Sequence, residues 1–336
     1  MKKGAIIGFG KIAQTNHLPA FNSPKLKSHA EIVAVVEPDQ SNMEISKSKH
    51  PELRFYKTVD DMLRYEEIDF ADITCPPKFH AEIMEKLIKN NLHIICEKPF
   101  TLDLQDAERI KDKLNSSGLM FLPCHQYKYS PIWKTFKNTV NKRAGTILQF
   151  DVFRMAADPG IEITENRWRT GSPKDGGGIL LDTGIHYLYL LYWMLGEPNK
   201  ITARLPRIRH TGYACEDSAF IILEYDKTIA QINITWAANK RYNDARLISE
   251  NSSLFYEGRN KLQINNNGSE KELLVPDASD KQHYVSLYSE MFTEFILSVE
   301  EKRTNPYLIE EAYQSIRLIN SCKKSSDSEK TVSDIV

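Results

Sequence analysis

Gly4-Ala5-Ile6-Ile7-Gly8-Phe9-Gly10-Lys11-Ile12-Ala13 decides the fold. Gly4 to Ile7 reads as a short apolar strand, and Gly8 to Ala13 matches the pattern G-x-G-x-x-G/A. In that pattern the first glycine permits a tight strand-to-helix turn. The second lets a pyrophosphate approach the backbone at the positive end of the helix, and the third small residue allows close helix–strand packing. Ile32-Val33-Ala34-Val35-Val36 is the next β-branched run, and Glu37 closes it. An acid in that place, roughly 20 residues beyond the fingerprint, accepts hydrogen bonds from a ribose 2′-OH and repels a 2′-phosphate. The expectation is an NAD site, with NAD preferred over NADP, built from Gly8, Phe9, Gly10, Lys11, Ile12, Ala13 and Glu37.

Working outward, strand and helix patterns alternate through residue 127. Phe70 to Cys75 is a further strand closed by Pro76-Pro77, Thr58-Val59-Asp60-Asp61 has the form of a capping box, and Leu119 to Pro123 is the last strand. Continuous rather than alternating apolar runs mark strands covered on both faces, and short connections imply right-handed crossovers. This predicts a doubly wound parallel sheet over residues 1–127. After Pro131 the texture changes. A helix (Ile132 to Val140), a strand (Thr146 to Met155) and a long helix (Gly178 to Leu195) precede six strands with no helix between them, and two helices follow from Tyr284 and Pro306. Residues 128–336 are therefore expected to form an α+β domain with a large, mostly antiparallel open sheet, and Lys323–Lys330 a solvated loop.

Composition narrows the partners. The 44 basic and 45 acidic residues are interspersed, with net charge −1, so no basic stripe favours nucleic acid. Five widely spaced cysteines suit reduced thiols in a cytoplasmic protein better than a disulfide framework or a zinc site, and no metal is expected. The apolar start is too short for a signal peptide. Gly178 to Leu195 carries Asp182, Gly184 and His186 in its first half, which is costly at a bilayer centre, so it reads as a buried helix rather than a membrane span.

Two places carry candidate chemistry. Leu92 to Cys96 reads as a buried strand ending in Glu97-Lys98-Pro99. In open parallel sheets ligands bind beyond the carboxyl ends of the strands, so a lysine there is aimed at chemistry. Asp182 and His186 stand i, i+4 on the long helix, preceded by Gly176-Gly177-Gly178. A carboxylate one turn from an imidazole fixes its tautomer, and histidine titrates near working pH.

Taken together, Lys2 to Ala13, Thr74-Cys75-Pro76-Pro77-Lys78-Phe79-His80, Glu97-Lys98-Pro99 and Gly176 to His186 resemble the Gfo/Idh/MocA oxidoreductase family, in that order. The combination of Glu-Lys-Pro with GG-x₄-D-x-G-x-H is specific, and the resemblance covers nearly the whole chain. It implies a dehydrogenase that moves a hydride between NAD and a secondary alcohol of a sugar, cyclitol or sugar derivative. Lys98, Asp182 and His186 then occupy catalytic positions, and Thr74, Pro76, His80, Glu97 and Lys98 join the cofactor residues. It also implies a cis Lys98–Pro99 bond. Two rivals share the fold: a glycosidase that oxidises its sugar transiently, and a non-catalytic nucleotide-binding sensor.

Departures from the family pattern leave the substrate open. Tyr189 stands three residues after His186, where relatives often carry an acid, and Cys124 to Pro131 differs from the usual Asn or His followed by Arg. Tyr127, Lys128, Arg167, Trp168 and Arg169 fall in stretches expected to line the substrate cleft, alongside Lys98, Asp182 and His186. The apolar alternation of Ile229, Ile232, Ile234 and Trp236 suggests a sheet face for a homodimer or homotetramer.

Overall fold

The structure is a computed structural model that describes residues 1–142, 145–155, 169–258, 260–276, 280–333 and 335. It divides into two compact units. The first comprises Met1–Gln126 and Lys281–Tyr313, the second Tyr127–Asp280 and Gln314–Val336.

In the first unit six strands, β1 (Lys2–Ile7), β2 (Ala30–Val36), β3 (Arg54–Tyr56), β4 (Phe70–Ile73), β5 (His93–Cys96) and β6 (Phe121–Pro123), lie in the order β3-β2-β1-β4-β5-β6. Every pairing is parallel. This is the doubly wound sheet anticipated above. Ala5, Ile6, Ala34, Val35, Ala71, Ile73, Ile94 and Ile95 are fully buried, which is why these strands read as unbroken apolar runs. The order reverses between β1 and β4, so the ligand crevice lies beyond Ile7, Ile73 and the neighbouring Cys96.

Helix starts are set by side chains. Thr58 Oγ1 accepts the Asp61 N–H at 3.0 Å, and Asp103 accepts the Asp106 N–H at 2.8 Å. Each satisfies one N–H that the first helical turn leaves without a backbone partner.

One element of this unit comes from far along the chain. The helix Tyr284–Glu300 packs Phe292 flat on Phe21, with ring centroids 4.6 Å apart, and Phe295 edge-on to Phe70 at 5.9 Å.

The second unit holds an eight-stranded sheet: β7 (Ile147–Met155), β8 (Lys200–Arg204), β9 (Ser218–Tyr225), β10 (Thr228–Thr235), β11 (Tyr242–Ser249), β12 (Ser252–Glu257), β13 (Lys261–Asn266) and β14 (Ser269–Leu274). The order is β14-β13-β12-β11-β7-β10-β9-β8, and only β7 with β10 is parallel. The mostly antiparallel open sheet is thus as expected.

Three details correct the sequence reading. Ile232, Ile234 and Trp236 all point into the core, so the outer face takes its apolar character from Ile229, Phe220 and Ile222, which are 48, 41 and 39% exposed. The last helix, Pro306–Ser328, runs past Cys322 through the Ser/Lys-rich stretch assigned to a loop. The strand β8 had no counterpart in the sequence reading. No helix among the described residues is long and apolar enough to cross a membrane.

Candidate active site

In the first unit the fingerprint folds as its residues dictate. Gly8 has φ +92°, and a Cβ there would lie 2.6 Å from the Cys75 backbone, so only glycine fits this turn. Thr74 ties the turn to β4: its N–H donates to Ile7 O at 2.9 Å and its hydroxyl to Gly8 O at 2.5 Å. Residues 11–21 are helical, with a π turn at Ala13–His17.

Glu37 is buried and well held. Its carboxylate accepts the Phe9 N–H at 2.9 Å, Asn42 Nδ2 at 2.8 Å and the Asp39 N–H at 3.0 Å. Asn42 Nδ2 also reaches Phe9 O at 3.1 Å, so this residue, missed in the sequence, braces both the loop and the acid.

These residues fit NAD. A Cβ at exposed Gly10 would meet nothing within 4 Å, so protein packing does not explain that glycine, whereas a pyrophosphate over the loop does. The Glu37 carboxylate offers about four acceptor sites and uses three, which leaves one for a ribose hydroxyl. Phe9 takes part through its backbone only, because its ring is buried edge-on against His50 and Phe55. Lys11 and Pro76 are exposed at the loop ends.

Lys98 follows β5 directly, half-buried, with a cis bond to Pro99 as expected. Two residues expected at the cofactor are committed elsewhere. His80 is buried, with Nδ1 2.9 Å from Pro99 O and Nε2 2.8 Å from Cys75 O, and burial pushes its pKa down. Glu97 is buried too. It takes His17 Nε2 at 3.0 Å and the Tyr288 hydroxyl at 2.6 Å on one oxygen, and the Lys98 N–H at 3.1 Å on the other.

The other face of His17 meets Asp72, whose Oδ2 lies 2.7 Å from Nδ1. Burial works against a charged His17, but the two carboxylates outweigh it and raise its pKa to about 9. Burial likewise works to raise Glu97, and the hydrogen bond and charge of His17 outweigh it, holding the carboxyl below its ordinary range. Asp72, buried in mid-strand, is pushed up. Cys124 Sγ joins His17 and Glu97 within 4.8 Å, but both imidazole nitrogens already face carboxylates and neither offers a lone pair to a metal.

In the second unit Asp182 lies within a π turn, Leu180–Gly184, and His186 is the second residue of the helix it opens, Ile185–Leu195. Single π turns recur at functional sites because they re-aim side chains. The turn starts at a crowded point: Gly178 has φ +111°, and a Cβ there would overlap the Glu216 carboxylate at 2.2 Å. Glu216 accepts the Leu180 N–H at 3.0 Å and so satisfies the helix start from a distant loop.

Asp182 pairs with Arg169, Oδ1 to Nε 3.2 Å. His186 Nδ1 lies 3.0 Å from the Tyr189 hydroxyl, which also accepts the Tyr127 N–H at 3.1 Å. The Tyr127 ring stacks on the imidazole at 4.3 Å and is itself buried, so Tyr127 supports His186 from behind. Lys128 Nζ lies over the Trp193 ring at 5.6 Å. Arg167 and Trp168 lie outside the described residues.

These features define the class of Rossmann-fold oxidoreductases with a second, α+β unit. The chain belongs to the Gfo/Idh/MocA family: residues 2–125 match its NAD-binding Rossmann-fold model and residues 136–255 its C-terminal domain model. It is 27% identical to D-apiose dehydrogenase of Paraburkholderia graminis, over 68% of this chain and 59% of that one. It is 28% identical to glucose-6-phosphate 3-dehydrogenase of Bacillus subtilis, over 69% of this chain and 65% of that one. The chain thus spans less than two thirds of the length of these curated relatives. An oxidoreductase from Agrobacterium radiobacter, solved with NAD+, L-tartaric acid and magnesium, shares the fold at TM-score 0.86 with 17% identity, over 99% of this chain and 98% of that one.

Proposed function

We propose that the protein is an NAD-dependent dehydrogenase acting on a secondary alcohol of a sugar, cyclitol or sugar derivative. The reading rests chiefly on Lys98, which stands at the carboxyl end of β5 in the same unit as the glycine fingerprint. The sugar-dehydrogenase names of two relatives support the substrate class. NAD, when bound, supplies the hydride acceptor.

The chain's own groups handle the proton and the charge. Held by the Tyr189 hydroxyl at Nδ1, His186 presents Nε2 as the nitrogen that takes the proton of the substrate hydroxyl. The Lys98 ammonium stabilises the developing alkoxide. Asp182, on the same helical segment as His186, supplies the negative charge that orients the imidazole, and Arg169 is the further substrate contact. General-base help of this kind is worth about 10²–10⁴ in rate.

A panel of sugars, cyclitols and their phosphates, with NADH and oxidised product both quantified, tests the proposal. Equimolar NADH and ketone or lactone is the expected result. Bond cleavage without NADH accumulation identifies the glycosidase, and NAD binding without turnover of any compound identifies the sensor. Glu37 further predicts NAD over NADP by titration calorimetry; equal or tighter NADP binding refutes that preference. The reading includes a cytoplasmic setting and a homodimer or homotetramer formed through the face carrying Phe220, Ile222 and Ile229. A monomer by light scattering at micromolar concentration refutes the latter.

A further inference from the structure

Four ionisable side chains from four distant parts of the sequence meet in the core of the first unit. His17 comes from the fingerprint helix, Asp72 from β4, Glu97 from the Glu-Lys-Pro turn and Tyr288 from the helix Tyr284–Glu300. His17 and Asp72 are fully buried, and Glu97 is 8% exposed. Burying two carboxylates and an imidazole is costly unless they are paired and hydrogen-bonded, and removing one partner strands a charge.

Both imidazole nitrogens face carboxyl oxygens, at 2.7 and 3.0 Å, an arrangement in which both donate and which favours the imidazolium. Its Nε2–H and the Tyr288 hydroxyl fix one oxygen of Glu97, and the other oxygen accepts the backbone N–H of Lys98. The lysine backbone is therefore tied through the Glu97 carboxylate to His17 and Tyr288, beside the Glu97 N–H bond to Ile73 O and the His80 contact with Pro99 O. The Tyr288 and Phe292 rings close the other sides of the imidazole, at 4.4 and 5.2 Å.

We propose that His17 is a positioning residue for Lys98, acting through Glu97, and that the protonation state of the buried Asp72–His17–Glu97 triad is transmitted to turnover. The proposal rests on reading Lys98 as the group that stabilises the alkoxide. Loss of the imidazolium proton leaves one carboxylate without its donor, so that Glu97 is held by Tyr288 alone on that oxygen and the Lys98 backbone shifts with it. The other groups that bear on the triad are Tyr288, Lys98, the thiols of Cys96 and Cys124, and His80, whose pKa burial pushes down. Burial holds both thiols and the Tyr288 phenol protonated well above neutral pH. His17, whose pKa is raised to about 9, is thus the member that titrates at mildly alkaline pH.

The test uses the full chain saturated with NAD+ and three readouts. In ¹⁵N-histidine spectra, His17, assigned with His17→Gln, should keep both ring protons up to pH about 9. In ¹³C-methylated lysine spectra, Lys98, assigned with Lys98→Arg, should show a step at that same pH, and the step should vanish in His17→Gln. On the sugar or cyclitol that yields most NADH, His17→Gln should lower kcat about 10²-fold, the cost of a misplaced catalytic group, with NAD affinity held within about twofold.

Tyr288→Phe removes one donor from Glu97 and keeps the charges. It should lower kcat about tenfold with the same NAD affinity, and it serves if His17→Gln fails to fold. A His17 resonance already neutral at pH 7 overturns the proposal. So does a Lys98 resonance indifferent to His17, or a loss of NAD affinity in proportion to kcat. If Lys98→Ala turns over normally while the Lys98 resonance still follows His17, the catalytic reading of Lys98 falls and the positioning claim stands.

Discussion

His17 and His186 invite comparison, because each adjoins a π turn in a helix and each has an aromatic ring against its imidazole. Their surroundings differ in the partner offered to the ring. His17 lies between two carboxylates, is fully buried and is held charged. His186 meets a neutral tyrosine hydroxyl at Nδ1, a group that can either donate to the ring or accept from it. One histidine is arranged to keep its proton; the other is the base proposed above. The same helical irregularity serves both, so the neighbours, not the backbone, assign the role.

The strongest way to break this contrast is to remove the ring proposed as the base. His186→Ala should lower turnover about 10²–10⁴-fold at neutral pH, with a residual rate that climbs with pH as hydroxide substitutes for the base. Near-normal turnover where chemistry limits the rate moves the base elsewhere.

Altering its partner sharpens the comparison. Tyr189→Phe deletes the partner of Nδ1 and should cost about tenfold in kcat while sparing NAD affinity. Tyr189→Glu gives His186 the kind of partner that His17 has. A carboxylate favours the imidazolium, so the acid limb of the kcat/KM profile should move to higher pH. An unmoved limb means Tyr189 does not govern His186.

The smallest effect concerns stability and belongs to His17. Its folded pKa, about 9, lies above the ordinary 6.5, so the native state binds the proton more tightly than the unfolded chain. The stabilisation is complete below about pH 6.5 and is lost as pH rises through about 9. Urea midpoints of the wild type should fall across that window, and those of His17→Gln should not show this component.

Much of this architecture was legible from local pattern. The apolar runs of β1, β2, β4 and β5 are continuous because both faces are covered, and the fingerprint, Glu37, Lys98 and the Asp182/His186 pair sit in short readable motifs. What stayed hidden depends on distant partners. The strand β8 is short and completed by the chain's end: Ser325 and Ser326 hydroxyls accept the Ala203 and Leu205 N–H groups at 2.9 and 3.0 Å, and Ile201 bridges Val332. Those serines made the same stretch look like a solvated loop, although Ser325 is fully buried.

The candidate site divides in the same way. Tyr288 reaches Glu97 across 191 positions and leaves no local trace. Asp72 did leave one, a charged residue inside the buried run Phe70–Ile73. The Gly178 to Leu195 run concealed its π turn, since a one-residue change of helical period is invisible where only Asp182, Thr183 and His186 interrupt a largely buried segment.

The central claim, hydride transfer from a sugar or cyclitol carbinol to NAD, is tested most directly by isotope transfer. The protein is incubated with NAD+ and compounds from the panel deuterated at their carbinol carbons, and the recovered dinucleotide is analysed by mass spectrometry. NADH carrying one deuteron at C4 of the nicotinamide, in amounts equal to the oxidised product, is the predicted result. Oxidised product formed with no deuterium in the dinucleotide contradicts the account.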